Sequence, residues 1–384
     1  MITPYKIHVS DEQLNKVLTK VKNYPFEDCY MPVDEGWEYG TNLSYLKEIC
    51  DYWVNSYDWR KFEAKLNSFE NYIADVDDLK IHYIIEKGSG ENPKPLLLVH
   101  GWPGSVTEFM HIIEPLAHPE RFGGNIEDAY TVIAPSLPGF AFSSRPKRPM
   151  GPRAMAKTLN TLMVDVLGYT KYLAQGGDWG SAICSWIAYE YPTHCKGMHF
   201  NFPTMRHYAG PQTEEEKEWD KNLVTEQIMN DGYRTQQATK PQTLSYGMTD
   251  SPVGIAAWLL DKFYHWSDVQ NNDIETSHSK DDLLTNIMVY VVTNSFNSST
   301  WIYYGRREEG GRYLITEPNK KVEVPTGCAL FPAEMMSWPP RSYFERMYNI
   351  TRWTKMPKGG HFAAMEVPEI WLKEIREFFK TIQL

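Results

Sequence analysis

Apolar and polar positions change their rhythm along this chain, and the changes mark its elements. The first ninety or so residues are helix-prone. Ser10 or Asp11 can cap a helix through DEQLNKVLTKVKNY, and Asn42 or Ser44 a second through LSYLKEICDYWVNSY. LKIHYIIEKGSGENP then predicts a strand followed by a turn rich in Gly, Asn and Pro. The next segment, PKPLLLVHGWPGS, is a continuous apolar run ending in glycines, the pattern of a strand buried on both faces of a parallel sheet. The same grammar recurs in AYTVIAPSLPGFAFS, with a helix expected from Ala154 to Leu167. It recurs again in KYLAQGGDWGS, with a sharp turn and a helix expected from Ser181 to Tyr191.

Strands alternating with helices predict an α/β protein with a mostly parallel central sheet flanked by helices. From about residue 206 to 321 the alternation stops, and the chain reads as a helical, aromatic-rich insertion. It opens with the acidic run TEEEKEWDKN, expected to be a solvated helix face. The alternation resumes at VEVPTGCALFPAE and MYNITRWTKMPKGGHF and closes on the amphipathic PEIWLKEIREFFKTI. The expected segments are therefore 1–94 at the N-terminus, 95–205 and 322–384 as the two parts of the core, and 206–321 as a helical lid.

Composition narrows the class. The net charge of −10 over 384 residues, with a pI near 5.6, argues against nucleic acid or an anionic membrane as the main partner. Aromatic content of 14% fits either a large core or an aromatic-lined pocket for an apolar substrate. The five cysteines have no C-x-x-C spacing, which predicts reduced thiols, a cytoplasmic setting and no zinc site. No signal-peptide core and no membrane span of about 18 apolar residues is legible, so a soluble protein is expected.

Candidate chemistry begins at Gly176-Gly177-Asp178-Trp179-Gly180. The string has the spacing of G-x-S-x-G, a strand-turn-helix that exposes its central side chain above the sheet, with Asp178 in place of serine. An Asp capping the following helix is the plainer alternative. HGWPGS at residues 100–105 lies after the earlier strand, where such folds place an oxyanion donor; with the residue after the central one, this nominates the backbone N–H groups of Trp102 and Trp179. In such hydrolases the nucleophile is followed by an acid and then a histidine. His361 in KGGHF stands in a loop after a strand, and Glu334 in GCALFPAE leaves the strand before it, whereas Glu323 lies at the wrong end.

Serine needs histidine to take its proton, but a carboxylate with a pKa of about 4 is ionised already. Histidine is then free to activate water in a second step. Such a carboxylate can displace a leaving group from sp³ carbon, which suits an epoxide or an alkyl halide. An epoxide also needs a proton for its departing oxygen, and tyrosine remains protonated at neutral pH.

Together HGWPGS, GGDWGS, TKPQTLSYGMTDSPVGIAAW and GGHFAAMEVPE resemble the microsomal-type epoxide hydrolases of the α/β-hydrolase superfamily, including soluble members. The likeness extends across nearly the whole chain. It implies an α/β-hydrolase fold with a helical lid and an N-terminal region that wraps core and lid. It further implies a nucleophilic Asp178, a water-activating His361 and an orienting Glu334, with no metal or organic cofactor. The family's ring-opening tyrosines correspond to Tyr233 in DGYRTQQATKP and, by spacing from a serine pair, to Tyr303 in NSSTWIYYGRREEG; Tyr304 stands beside it as an alternative. The basic-acidic pair usual after the second tyrosine is replaced by YGRRE. The membrane-anchor helix of some relatives is not seen here. The expected partners are a small apolar epoxide and water, with a homodimer common among relatives. A dehalogenase sharing the Asp, His and acid but needing no tyrosine pair, and a non-catalytic ligand-binding relative, are the rival readings.

Overall fold

The computed structural model describes residues 1–29, 36–315 and 320–384. Its strands in chain order are β1 (Ile2–Pro4), β2 (Glu70–Val76), β3 (Leu79–Glu86), β4 (Lys94–Val99), β5 (Tyr130–Pro135), β6 (Tyr172–Gly176), β7 (Cys195–Phe200), β8 (Arg206–His207), β9 (Tyr313–Ile315), β10 (Val322–Leu330) and β11 (Tyr348–Lys355). Nine of them form one sheet in the order β1-β2-β3-β5-β4-β6-β7-β10-β11, while β8 and β9 pair separately. From β5 to β11 the neighbours are parallel; β1, β2 and β3 add an antiparallel edge. Every residue of β5 and β6 is buried, because helices cover both faces of the parallel region.

The helices expected near the N-terminus form at Asp11–Lys22 and Leu43–Asn55. Ser10 Oγ accepts the N–H of Gln13 at 3.2 Å, and Asn42 Oδ1 that of Tyr45 at 2.8 Å. The region is not all helical, however. Glu70–Val76 folds back on β3 about a tight turn at Asp77, whose φ is 52°, and the pairing runs from Glu70 with Ile85 to Val76 with Leu79. Cross-strand pairing wins there over local helix propensity. The N-terminal region is tied to the lid: Gln13 Nε2 donates to the Val292 carbonyl at 2.6 Å, and the Tyr57 hydroxyl meets Thr285 Oγ1 at 3.0 Å.

The lid contributes helices Glu214–Asn230, Gly232–Thr239, Pro241–Thr249, Pro252–Trp266, Lys280–Thr293 and Phe296–Glu308. The acidic run at its start is only partly a solvated face. Glu216 is buried, closes a capping box with Thr213, and pairs with Arg346 at 2.7 Å. A carboxylate can be buried there because an arginine and backbone N–H groups satisfy it. No helix among the described residues is long and apolar enough to cross a membrane.

Candidate active site

Parallel strands deliver their C-terminal ends to one edge, and the loops after β4, β6, β10 and β11 converge there. The turn after β6 carries Asp178 at φ 45°, a left-handed conformation rare for a residue with a side chain. Tight packing enforces it: a Cβ on Gly180 would lie 1.9 Å from the Val99 carbonyl oxygen. The helix begins at Asp178 itself, a turn earlier than the sequence predicts, with Gly177 as its N-cap. Asp178 therefore does not cap that helix. Its Oδ1 accepts the backbone N–H of Trp102 at 2.8 Å. Trp179 follows in the first helical turn, where a backbone N–H has no intrahelical acceptor. Of the two nominated backbone groups, the Trp102 N–H thus meets the Asp178 carboxylate directly, and the Trp179 N–H lies free of the helix ladder.

His361 comes to the same point from the loop after β11. Its Nδ1 is 2.8 Å from Glu334 Oε1, and its Nε2 is 3.4 Å from Asp178 Oδ2. A single parallel bridge, Ala333 to Gly360, joins the two loops that hold Glu334 and His361. All three side chains are nearly closed to solvent, at 1% for His361, 1% for Glu334 and 14% for Asp178. Burial opposes a charge on the imidazole, but Glu334 and Asp178 on either side outweigh it and raise the His361 pKa well above its ordinary value. Burial also raises the Glu334 pKa, against the opposing pull of His361.

Tyr233 and Tyr303 descend from two lid helices onto this edge, and both line one cavity with Asp178. Tyr233 stacks on Trp102 at 5.6 Å between ring centres, and Tyr303 meets Trp179 edge-on at 4.6 Å. The two phenol rings are 5.9 Å apart and nearly perpendicular, at 85°. Burial raises the pKa of both, with the charge of Asp178 adding to it, so both remain protonated donors at neutral pH. Tyr303 is buried and faces the cavity, whereas its neighbour Tyr304 is half-buried and is not part of the lining.

The cavity is small, about 50 Å³. Phe202, Met335 and Met336 give it apolar walls, but Arg234, Arg306 and Arg312 line it as well, so it is less apolar than its aromatic content suggests. Among the described residues, no group of three or more His, Cys, Asp or Glu is placed to hold a metal ion.

Three carboxyl groups at the site escape sequence reasoning. Glu108, in the turn after HGWPGS, is half-buried, with its carboxyl group under Gly104 and near both Asp178 and His361. Burial pushes its pKa up to about 8, with Asp178 adding to the rise and His361 opposing it. Glu366 accepts the N–H groups of Gly360 at 3.0 Å, Phe362 at 2.9 Å and Asp268 at 2.8 Å. Asp268 in turn accepts the N–H of Gly359 at 2.9 Å. A Glu between Val106 and Phe109 was the one available hint of burial; Glu366 and Asp268 look like ordinary surface acids in the string of letters.

A mostly parallel sheet, a left-handed turn presenting a carboxylate, and a histidine–glutamate pair beside it define an α/β hydrolase with aspartate at the nucleophile position. Comparison with known proteins narrows this. The chain matches the family models described as "Epoxide hydrolase N terminus" over residues 2–109 and "alpha/beta hydrolase fold" over residues 94–251. Epoxide hydrolase 1 of Sus scrofa is 35% identical over 416 aligned positions, which cover 100% of this chain and 89% of that protein. The juvenile hormone epoxide hydrolase of the silkworm Bombyx mori superposes with a TM-score of 0.86 at 27% identity, covering 99% of this chain and 94% of the other. The Aspergillus niger epoxide hydrolase superposes with a TM-score of 0.85 at 26% identity, covering 100% and 97%. The chain belongs to the epoxide hydrolase family of α/β hydrolases.

Proposed function

We propose that this protein hydrolyses an epoxide to a vicinal diol in two steps, through an ester on Asp178. The observation that carries this reading is a carboxylate facing two buried, protonated phenols across one cavity, with a histidine at its back. In the first step an Asp178 oxygen attacks the less hindered ring carbon and the carbon–oxygen bond breaks. Tyr233 and Tyr303 hold the departing oxygen and supply its proton. The product is a hydroxyalkyl ester.

Ester formation removes the charge of Asp178, one of the causes that raise the His361 pKa. The His361 pKa falls, so its imidazole stands unprotonated and free to accept a proton at the moment a base is needed. Held in one tautomer by Glu334, it takes a proton from water, and the hydroxide attacks the ester carbonyl carbon. The N–H groups of Trp102 and Trp179 hold the oxyanion, which collapses as the His361 imidazolium returns its proton to the departing diol oxygen; the proton left on the Asp178 acid passes to the tyrosinate, which restores the carboxylate and the phenol. Neither a metal nor an organic cofactor is required by these steps. The five cysteines are free thiols, four of them buried, which supports a cytoplasmic setting.

A single turnover in heavy-oxygen water tests the proposal. The label is expected in Asp178 and absent from the first diol; label directly in that diol would mean that water, not the protein, opens the ring. The phenol pair favours this reading over a dehalogenase. In a Tyr233→Phe, Tyr303→Phe double variant, epoxide opening is expected to collapse, whereas a halide-releasing enzyme would keep its activity.

A further inference from the structure

Among the described residues, one wall of the cavity holds more positive charge than its carboxylates neutralise. Arg306 lies one helical turn beyond Tyr303, on the same face of helix Phe296–Glu308. Its guanidinium sits 5.1 Å over the ring of Trp179, and its polar contact, the Thr204 carbonyl at 3.5 Å, is at the limit of a hydrogen bond. Arg234 is occupied by Asp231, which it grips with two N–H groups. Behind them Arg206 is buried; its Nη1 donates to the carbonyls of Pro203 and Met205, and its Nη2 has no hydrogen-bond partner among the described residues. Among the described residues, neither Arg306 nor Arg312 has a carboxylate within ion-pair distance. Burial, with Arg312, Arg234 and Arg206 adding their repulsion, pulls the Arg306 pKa down to about 9. Arg306 and Arg312 are half-buried and Arg206 is buried, so their charges are partly withdrawn from water, and an anion placed among them offsets the mutual repulsion.

Three of these arginines also face outward. Arg234, Arg306 and Arg312 line a second opening of about 490 Å³, which shares Trp179 and Tyr303 with the first cavity. The two cavities share the wall made by Trp179, Tyr303 and these arginines, so a ligand with its reacting end at Asp178 brings its other end to the guanidinium groups. A planar carboxylate matches the two-pronged donor geometry of arginine. Phe202, Met335 and Met336 offer apolar surface for the carbon chain between.

We propose that the preferred substrate is an epoxide carrying a carboxylate, which Arg306 and Arg312 bind while the ring faces Asp178. This rests on the epoxide-opening function proposed above and names its substrate class. The test compares terminal epoxy acids of increasing chain length with the methyl ester of each. At the best length the acid is expected to exceed its ester in kcat/KM by on the order of tenfold or more, with the advantage shrinking at high salt. Arg306→Gln and, independently, Arg312→Gln should each lower the acid-to-ester ratio by about tenfold or more, and Arg306→Lys by less. Circular dichroism identifies a variant that has failed to fold, and the other variant then decides.

Equal handling of acid and ester by the native enzyme would overturn the inference. So would variants that slow acid and ester alike, which would assign the arginines to the tyrosines or to the fold. An enzyme that opens the esters but discriminates against the acids overturns this inference alone. One that opens neither acids nor esters overturns the reading beneath it.

Discussion

The two loops that meet at the site are held by opposite means. The Asp178 turn is fixed from within: a left-handed residue between glycines, so tightly packed against β4 that a side chain at residue 180 has no room. The His361 loop is fixed from outside. The N–H of Gly359 goes to Asp268, those of Gly360 and Phe362 go to Glu366, and that of His361 itself goes to the Trp266 carbonyl at 2.8 Å. Trp266 ends a lid helix and Asp268 lies just beyond it, so the lid that carries Tyr233 also braces the base. The position of Asp178 is set by its turn and the end of β4 packed against it. The position of His361 is a property of the assembled core and lid.

This contrast can be broken at several points. The largest effect is expected for Gly180→Ala, because a new Cβ would meet backbone that cannot move aside. Overpacking of a core usually costs about 1–3 kcal/mol, and this variant should reach at least the upper end, read as a lowered denaturation midpoint together with lost activity. A native-like midpoint would mean that the turn is looser than its geometry implies.

Glu366→Gln should act differently. One amide oxygen cannot replace both carboxylate oxygens, so the N–H of either Gly360 or Phe362 would face an NH₂ group. The fold should survive, while hydrolysis of the ester slows by on the order of a hundredfold through misplacement of His361. Rapid-mix measurements should then show a burst of ring opening followed by slow turnover; equal slowing of both phases would count against the external bracing of His361.

The smallest effect concerns pH. Glu108 is neutral below about pH 8 and ionises above it, because its carboxyl pKa is raised rather than lowered. A new anion beside Asp178 disfavours the oxyanion formed during hydrolysis, so turnover should fall several-fold as pH rises through about 8. Glu108→Gln should flatten that limb; an unchanged limb would assign it to another group.

Much of this was legible in the letters. Apolar runs in β4 and β5 announced a sheet covered on both faces, and G-x-D-x-G after β6 announced the turn, because these features depend on neighbours in the chain. Glu334 and His361 could be picked out as the acid and histidine that follow late strands, and the parallel topology brings them within 2.8 Å of each other. Strand β2 was missed because its partner, not its own residues, makes it a strand. The buried half of the acidic run was missed because Arg346 lies far away in sequence.

By itself, then, the sequence determined the fold class, the order of the chemical groups and the candidate identity of each, since strand burial and turn geometry are short-range constraints. Tertiary structure alone decided which of Tyr303 and Tyr304 faces the cavity, and which acids brace the histidine. It also gathered Arg206, Arg234, Arg306 and Arg312 around one cavity wall. Electrostatic and packing energies depend on distance in space, and segments far apart in the chain set those distances only when they fold together.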